Sequence, residues 1–390
     1  MSKAPGKILN DLRRCVRCLL PETHETILFD REGVCNVCRQ IEDKKAKVDW
    51  AAKEREFVQL LDAYRGGHSY DCIVPFSGGK DSTFTLYHLV THHKLKPLVV
   101  TFDHGFMRPR TLENNDRTLK KLGVDYLKFR PNWKVVQKLM LESLKRKGDF
   151  CWHCHTGIFS YPMHIAVKFK IPLVIWGEPS AEYTSYYGYG EQQEEEVDER
   201  RFNRFVNLGI TAEDMVGMLD GTVTERDLEP FTYPRPSDLR AINCRSICLG
   251  SYMPWDVKTQ VQVIKRELGW QENDVEGVPP AYGYEKIECA MQGVRDYLRF
   301  IKRGYGRTNH LAAIDLRNGR ITPEDAAALI EKHDGKRPAS LDVFLEYVNL
   351  TEDDFMAIAL KHVVAPHVHD SRQVTKGEPL WDQARWDVSK

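Results

Sequence analysis

One stretch of ten residues, 73–82, constrains the fold of this chain more than any other. A short apolar run enters it, and a segment with helical periodicity, residues 83–95, leaves it. The two adjacent glycines, Gly78 and Gly79, let the backbone approach an anion closely because no Cβ intervenes. The first turn of the following helix offers unpaired N–H groups to a phosphate. This pattern predicts a nucleotide site, whereas the plainer interpretation is a glycine turn capped by Asp81 or Ser82.

The kind of nucleotide loop follows from its exact residues. Neither the dinucleotide fingerprint nor the Walker loop is present. The sequence Ser-Gly-Gly-Lys-Asp-Ser at 77–82 instead resembles the PP-loop of ATP pyrophosphatases, which adenylate a substrate and release pyrophosphate. This resemblance implies that the loop binds ATP and that part of it is catalytic. The ATP-binding residues would be Ser77, Gly78, Gly79, Lys80, Asp81 and Ser82, with Lys80, Asp81 and Ser82 also catalytic. Lys80 would neutralise the charge that develops on phosphate during the displacement.

The region around the loop alternates between strands and helices. Strands are predicted at 72–76, 98–102, 126–129 and 173–176, separated by helical segments of crossover length, which indicates an α/β fold with a parallel sheet. Ligands of such sheets bind beyond the carboxyl ends of the strands. Three polar strand ends then converge on one site: the 77–82 loop, Asp103, and the pair Gly177 and Glu178. Asp103, Gly177 and Glu178 are therefore predicted to bind ATP together with the loop. Asp103 and Glu178 are candidates for contact with magnesium, ribose or substrate, and ordinary loop carboxylates are the alternative.

The N-terminal cysteines form two C-x-x-C pairs. Cys15 and Cys18 are followed after sixteen residues by Cys35 and Cys38, a spacing that is typical of a four-thiolate zinc site. Four protein ligands leave no open position, so we expect a structural metal that supplies folding energy to a zinc-ribbon-like module. An iron site or reduced thiols are the alternatives. The predicted domains are this module at 1–48, a PP-loop domain at 49–255 and a mainly helical substrate or partner region at 256–390.

Two further cysteine pairs allow a second metal centre. Cys151 and Cys154 are separated by two residues, and Cys244 and Cys248 lie farther along the chain. Some PP-loop enzymes that thiolate tRNA have one such pair and a distant cysteine around a [4Fe–4S] cluster, and by that resemblance Cys244 or Cys248 would be the third ligand. Reduced core cysteines are the alternative.

The C-terminal region contains a glycine- and arginine-rich segment. Arg303, Arg307 and Arg317 are candidates for binding the phosphates of a sugar nucleotide, and solvated surface arginines are the alternative interpretation.

Composition limits the partners. Lys and Arg together number 56, as do Asp and Glu, so the formal net charge is zero, which counts against a large nucleic-acid partner. No apolar run approaches the length of a membrane span, and the N-terminus lacks the apolar stretch of a signal peptide. We therefore expect no membrane partner and a cytoplasmic location.

Taken together, these motifs resemble the N-acetyl sugar amidotransferases of bacterial lipopolysaccharide (LPS), O-antigen and nonulosonic acid biosynthesis. The resemblance rests on the four N-terminal cysteines, the 77–82 loop, the Cys151 and Cys154 pair, Gly177-Glu178 and residues 302–307. It implies an enzyme that uses ATP and Mg²⁺ to convert the acetamido group of a UDP-linked N-acetyl sugar into an acetamidino group, releasing AMP and pyrophosphate. It also implies a separate glutaminase subunit that supplies ammonia. A tRNA thiolase of the PP-loop superfamily is the alternative, and an inactive zinc-bearing scaffold is a third.

Overall fold

A five-stranded, fully parallel sheet forms the centre of the fold. The computed structural model of this protein describes residues 11–177, 202 and 206–370. The strands are β1 (Cys72–Pro75), β2 (Pro97–Phe102), β3 (Asp125–Phe129), β4 (Leu173–Trp176) and β5 (Arg245–Cys248). Their order across the sheet is β3-β2-β1-β4-β5, and every neighbouring pair is parallel. The predicted α/β class with a parallel sheet is therefore confirmed.

Four of the five strands match the sequence prediction closely, and the fifth was missed. β5 contains only four residues, among which Arg245 and Ser246 interrupt the apolar pattern. It extends the sheet by pairing with β4, from Leu173 opposite Arg245 to Trp176 opposite Cys248. The sequence marks Cys248 only as one of a cysteine pair, whereas the structure places it in this strand.

Helices connect the strands and flank the sheet. Before β4 they are α1 (Asn36–Lys47), α2 (Trp50–Tyr64), α3 (Lys80–Thr91), α4 (Pro109–Leu122), α5 (Trp133–Lys147) and α6 (Trp152–Phe169). Between residue 206 and β5 are three short helices, α7 (Ala212–Met218), α8 (Glu225–Leu228) and α9 (Pro236–Ala241). The apolar faces of α2 and α3 cover one side of the sheet, where Phe57, Leu61 and Leu86 pack against Val74. α6 covers the other side, where Met163 and Ala166 pack against Ile73.

The C-terminal region is helical, as predicted. Its helices are α10 (Val257–Leu268), α11 (Gln292–Arg303), α12 (Arg307–Arg317), α13 (Pro323–His333), α14 (Ser340–Val348) and α15 (Glu352–Leu360). Leu298 of α11 and Phe344 of α14 share a buried cluster with Met140 and Leu144 of α5. The C-terminal helices thus pack directly on the sheet domain, and the predicted boundaries between domains stay a prediction. Within the described ranges, no helix combines the length and the apolar character needed to cross a membrane.

The N-terminal cysteine module lies against the C-terminal region. Arg14 donates hydrogen bonds from Nη1 to the Leu19 carbonyl and to Oδ1 of Asn309, both at 2.8 Å. Ala313 of α12 belongs to the same buried cluster as the four cysteines. The module is too short to build a large core of its own, so this contact supplies apolar surface that it lacks.

Candidate functional site

The 77–82 loop lies where the connections of the sheet diverge. β1 is the central strand, with β2 and β3 on one side and β4 and β5 on the other. The carboxyl end of β1 is therefore a topological switch point, the position at which open α/β sheets bind ligands. Gly78 adopts φ of +81°, a left-handed conformation that favours glycine. Gly79 is the N-cap of α3, so the loop leads directly into a helix N-terminus.

Hydrogen bonds inside the loop hold three successive backbone amides. Oγ of Ser82 accepts from the N–H groups of Ser77 and Gly78, both at 3.2 Å. Oγ of Ser77 accepts from the N–H of Gly79 at 3.2 Å. The hydroxyls of Ser77 and Ser82 therefore accept the hydrogen bonds of these three amides, and both hydroxyls can rotate towards another partner. Successive backbone N–H groups beside a helix N-terminus form a concavity that suits an anion.

Lys80 lies at the base of the loop between two carboxylates. It is 3% exposed, and its Nζ lies 2.8 Å from Oδ2 of Asp81 and 2.8 Å from Oε2 of Glu285. Burial alone would lower the pKa of Lys80, but these two carboxylates outweigh it and raise the pKa above its ordinary value. Burial would likewise raise the pKa of Glu285, yet Lys80 and Arg307 hold it at about 2. The buried pair therefore stays ionised.

Three side chains from outside the loop contact its glycines. Trp270 donates from Nε1 to the Gly78 carbonyl at 3.1 Å. A Cβ added to Gly78 would lie 1.7 Å from Oδ1 of Asn115, and one added to Gly79 would lie 2.8 Å from Oε2 of Glu288. The two glycines are thus needed for the close approach of Asn115 and Glu288.

The polar ends of the neighbouring strands flank the loop. Oδ2 of Asp103, after β2, lies 2.7 Å from Nη2 of Arg130 and 2.9 Å from Nζ of Lys128. Burial would raise the pKa of Asp103, but the hydrogen bonds from Lys128 and Gly105 outweigh it and lower the pKa. Gly177, after β4, packs against the start of α3, where an added Cβ would lie 3.2 Å from the Asp81 carbonyl. Glu178 lies outside the described residues, and the ATP-binding role of all three stays a prediction.

The four N-terminal cysteines converge as their spacing predicted. All are buried, and their sulfurs lie within 4.8 Å of one another. Cys15 and Cys38 sulfurs are 3.9 Å apart, and those of Cys18 and Cys35 are 3.6 Å apart. A tetrahedral ion with Zn–S bonds of about 2.3 Å would hold its sulfurs roughly 3.8 Å apart. The backbone N–H of Cys35 donates to the Cys15 sulfur at 3.3 Å, which would stabilise a thiolate there. The cluster therefore fits a metal ion.

The second cysteine group differs from the prediction. Cys151 and Cys154 stand at the start of α6 and share a cluster with Cys289, which pairs by a single β-bridge with Met107. Burial raises the pKa of all three thiols, and the proximity of Cys289 raises the pKa of Cys151 and Cys154 further.

Cys244 and Cys248 belong elsewhere. Both are part of the cluster between α6 and the sheet, because Cys248 is held in β5. The cysteine that packs with Cys151 and Cys154 is instead Cys289, which the sequence shows only as an isolated thiol. The ligand set of a second metal centre stays a prediction.

The predicted sugar-nucleotide arginines make contacts within the protein. Nε of Arg303 lies 3.2 Å from Oε1 of Glu25 in the cysteine module. Arg307 is buried, with Nη2 3.1 Å from Oδ1 of Asp296 and Nη1 3.5 Å from Oε1 of Glu285. Arg317 is partly buried at the end of α12. Their role in sugar-nucleotide binding stays a prediction.

Comparison with known proteins gives three similarities. Residues 276–379 match the family described as "LPS biosynthesis protein WbpG-like, C-terminal domain". The uncharacterised protein MJ1599 of Methanocaldococcus jannaschii is 28% identical over 165 residues, which are 42% of this chain and 58% of that protein. The chain thus spans little more than half the length of this relative. The U34-tRNA thiolase NcsA from Methanococcus maripaludis, solved with its [4Fe-4S] cluster, aligns over 83% of this chain and 89% of its own at 11% identity.

The TM-score of that structural alignment is 0.26, a value from which nothing further follows. The family match, in contrast, bears on the site. The matched residues 276–379 include Glu285, Glu288 and Cys289, which lie beside the loop and the second cysteine group. The resemblance predicted from the motifs is thereby confirmed: the chain is similar to the WbpG-like proteins of LPS biosynthesis, and residues 276–379 carry that similarity.

Proposed function

We propose that this protein is an ATP-dependent, AMP-forming amidotransferase acting on a UDP-linked N-acetyl sugar. The observation that carries the proposal is the Ser-Gly-Gly-Lys-Asp-Ser loop at the switch point of a parallel sheet, with three amides grouped at a helix N-terminus. Such a loop suits the pyrophosphate of ATP. The match to a domain of LPS biosynthesis proteins supports a sugar as the acceptor.

The chemistry explains why ATP is required. An amide carbonyl is a poor electrophile, and its oxygen is a poor leaving group. Attack of the acetamido oxygen on the α-phosphorus of ATP forms an O–P bond, breaks the bond to pyrophosphate and gives an adenylated imidate. Ammonia then adds to the imidate carbon, AMP leaves with the oxygen, and loss of a proton gives the acetamidine. The protein contributes position and charge stabilisation.

Each residue of the loop has a role in this scheme. The backbone amides of Ser77, Gly78 and Gly79 would exchange their hydrogen bonds to the serine hydroxyls for hydrogen bonds to the departing pyrophosphate. Lys80 would contribute its positive charge from the base of the loop, where Asp81 and Glu285 fix its position. We expect Lys80→Ala to abolish AMP formation with the fold retained, and unchanged turnover would exclude Lys80 from the mechanism.

Two carboxylates suit Mg²⁺ at this site. Oδ1 of Asp81 is buried and has no hydrogen-bond partner among the described residues, and the Glu288 carboxylate lies against Gly79. Oxygen ligands of this kind, together with phosphate oxygens, are what Mg²⁺ prefers. The ion would neutralise phosphate charge when bound.

Ammonia would come from a separate glutaminase subunit. None of the cysteines lies in a recognisable glutaminase nucleophile motif. We therefore propose a hetero-oligomer in which ammonia passes from the partner to the imidate. A purified chain that used glutamine as efficiently as ammonium would contradict this partnership.

We propose zinc for the four N-terminal cysteines and a [4Fe–4S] cluster for Cys151, Cys154 and Cys289. Within the described residues, only the N-terminal group meets single-ion spacing. The cysteines of an iron–sulfur cluster bind different irons, so their sulfurs stand farther apart than around one ion. An absorption spectrum with iron and sulfide analysis tests the assignment: Cys289→Ser should lose the cluster, whereas Cys244→Ser should retain it.

The same cysteine group favours the alternative function, a tRNA thiolase. The two functions are separated by one assay. The chain is incubated with ATP, ammonium and a panel of UDP-N-acetyl sugars, and in parallel with ATP, tRNA and a sulfur donor. AMP together with a sugar product about one mass unit lighter, from exchange of oxygen for NH, supports the amidotransferase. AMP formed only with tRNA and the sulfur donor would overturn it. Absence of pyrophosphate release under either condition would leave the inactive zinc-bearing scaffold.

A further inference from the structure

We propose that Asn115 is a phosphate-binding residue of the nucleotide site, donating from its side-chain amide to the pyrophosphate part of ATP. The inference rests on the proposed function, because it assumes that the 77–82 loop binds ATP. It adds a residue that lies outside every sequence motif.

Asn115 lies directly against the loop. It belongs to α4, the crossover helix that follows β2, and it is 5% exposed. Its Oδ1 lies 1.7 Å from the position that a Cβ on Gly78 would take. Only a glycine at position 78 leaves room for this contact, so the loop and the Asn115 amide are fitted to each other.

The buried Asn115 amide is unusual in its hydrogen bonding. Across the part of the chain that the structure describes, neither its Oδ1 nor its Nδ2 has one. Leaving a buried polar group unpaired costs about 1–3 kcal/mol, and proteins satisfy the great majority of such groups. An asparagine with unused donors beside a phosphate loop is explained if the bound ligand supplies its partner.

The preceding residue shows that α4 can satisfy an asparagine by itself. Asn114 donates from Nδ2 to the Gln271 carbonyl at 2.8 Å. Its Oδ1 accepts from the Gln271 backbone N–H at 3.0 Å and from Nη1 of Arg117 at 2.9 Å. The two adjacent asparagines therefore differ. Asn114 binds the Gln271 backbone, whereas Asn115 faces the loop and has no hydrogen-bond partner among the described residues.

Phosphate is the ligand chemistry that fits. The loop amides are those expected to receive pyrophosphate, and an anion seated there would lie beside Gly78. Whichever way the Asn115 amide is turned, it offers two N–H donors at that place. Hydrogen bonds to an ionised acceptor are stronger than those between neutral groups, so the contact would add to affinity. The adenosine part is bound elsewhere in this scheme, and Asn115 would not contact it.

Calorimetric titration with two ligands tests the assignment. α,β-Methylene-ATP carries the β- and γ-phosphates and cannot be cleaved between the α- and β-phosphorus, whereas AMP lacks these two groups. With Mg²⁺ present, Asn115→Leu, of similar volume, should bind α,β-methylene-ATP about 10- to 100-fold more weakly than wild type. Its affinity for AMP should stay within about twofold, because the lost contact is to pyrophosphate alone. Asn115→Asp keeps the side-chain shape and should weaken the analogue at least as much, since it places a carboxylate beside the phosphates.

Asn114→Leu is the matched control. It should lower the melting temperature because the Gln271 backbone loses its two hydrogen bonds to Asn114, while the analogue binds with wild-type affinity well below that temperature. Asn115→Leu should melt at or above the wild-type temperature, because an unpaired polar group is removed. Wild-type affinity of both Asn115 variants for the analogue would overturn the inference, as would equal weakening of AMP and the analogue. Failure of the wild-type chain to bind either ligand would overturn the proposed function itself, and the role of Asn115 with it.

Discussion

The ammonium group of Lys80 lies 2.8 Å from the carboxylate of Glu285, and this ion pair joins the 77–82 loop to residues 276–379, which match the WbpG-like family. Both side chains are almost completely buried. The carboxylate also faces Arg307 at 3.5 Å, so a chain of alternating charges continues from the loop into α12. The C-terminal domain therefore does more than pack on the sheet, because it supplies a charge on which the position of Lys80 depends.

Breaking this pair should destabilise the protein strongly. Glu285→Gln leaves Lys80 and Arg307 buried with one carboxylate fewer, and loss of one partner of a buried pair costs about 3–5 kcal/mol. The expected result is a decrease of that size in the free energy of unfolding, measured by urea denaturation at pH 7.

An exposed pair provides the control for Glu285→Gln. Lys120 and Asp116 are also 2.8 Å apart, but both side chains are largely exposed to solvent. Asp116→Asn should change the free energy of unfolding by no more than about 0.5 kcal/mol. Equal effects of the two substitutions would show that the Lys80–Glu285 pair is not an energetic link between the domains.

Loss of one of the four N-terminal cysteines should remove the metal from the cysteine module. Purified protein should contain about one zinc ion per chain at this cluster, and Cys18→Ser should lose it, because three thiolates hold a structural zinc far less tightly than four. Metal analysis by mass spectrometry gives the stoichiometry. Cys72→Ala is the control, since Cys72 is buried in β1 away from the module and its loss should leave the zinc content unchanged. Full zinc content in Cys18→Ser would contradict the assignment.

The features that could be predicted from the sequence are those formed by residues close together in the chain. The 77–82 loop and the four N-terminal cysteines are short motifs whose spacing alone fixes their geometry, and the structure brings each together. Four strands could be found because their apolar runs are bounded by helical segments. The sequence does not reveal β5, because its apolar residues are few and because β4, the strand with which it pairs, lies about 70 residues earlier in the chain.

Residues that reach the site through tertiary contacts carry no such signal. Asn115 comes from α4, and Glu285 and Cys289 come from the segment before α11. No spacing rule relates these residues to the loop or to Cys151. The arginine predictions show the same limit. The sequence identifies Arg303 and Arg307 as candidate binding residues, but it cannot show that they form ion pairs with Glu25 and Asp296.

The contact between the cysteine module and the 304–306 segment, which joins α11 to α12, depends on a charged hydrogen bond. Tyr305 is fully buried, and its hydroxyl donates to Oε2 of Glu25 at 2.6 Å. Burial would raise the pKa of Glu25, but His24, Arg299, Arg303 and this hydroxyl hold it at about 2. Tyr305→Phe should lower the free energy of unfolding by about 1.5–3 kcal/mol, as measured by urea denaturation at pH 7.

Tyr347→Phe is the matched control for Tyr305→Phe. The Tyr347 hydroxyl donates to the Trp133 carbonyl at 2.7 Å, a neutral acceptor, so its loss should cost only about 0.5–1.5 kcal/mol. A Tyr305 variant no less stable than the Tyr347 variant would mean that Glu25 does not need this donor.

Asp334 should make stability fall as pH rises through the weakly acidic range. Its carboxylate accepts from the backbone N–H groups of Gly306 at 2.8 Å and Thr308 at 3.0 Å, at the N-terminus of α12. Burial nevertheless raises the pKa of Asp334 to about 7. An unfolded aspartate has a pKa of about 3.9, so between roughly pH 4 and 7 the folded state holds a proton that the unfolded state has released. The contribution of Asp334 to stability is therefore greatest below pH 4 and is lost as pH rises to about 7.

Asp334→Asn removes this titration and keeps an oxygen acceptor in place. The variant should gain stability relative to wild type as pH rises from about 4 to 7, by at most about 1.4 kcal/mol per pH unit, and the difference should level off above pH 7. Urea denaturation at pH 4.5, 5.5, 6.5 and 7.5 measures it. Asp354, the exposed capping residue of α15, has a pKa below its ordinary value, so Asp354→Asn should show a constant difference from wild type across this range. If the Asp334→Asn difference were equally constant, Asp334 would be ionised throughout this range. The backbone N–H groups of Gly306, Thr308 and Asn309 would then lower its pKa more than burial raises it.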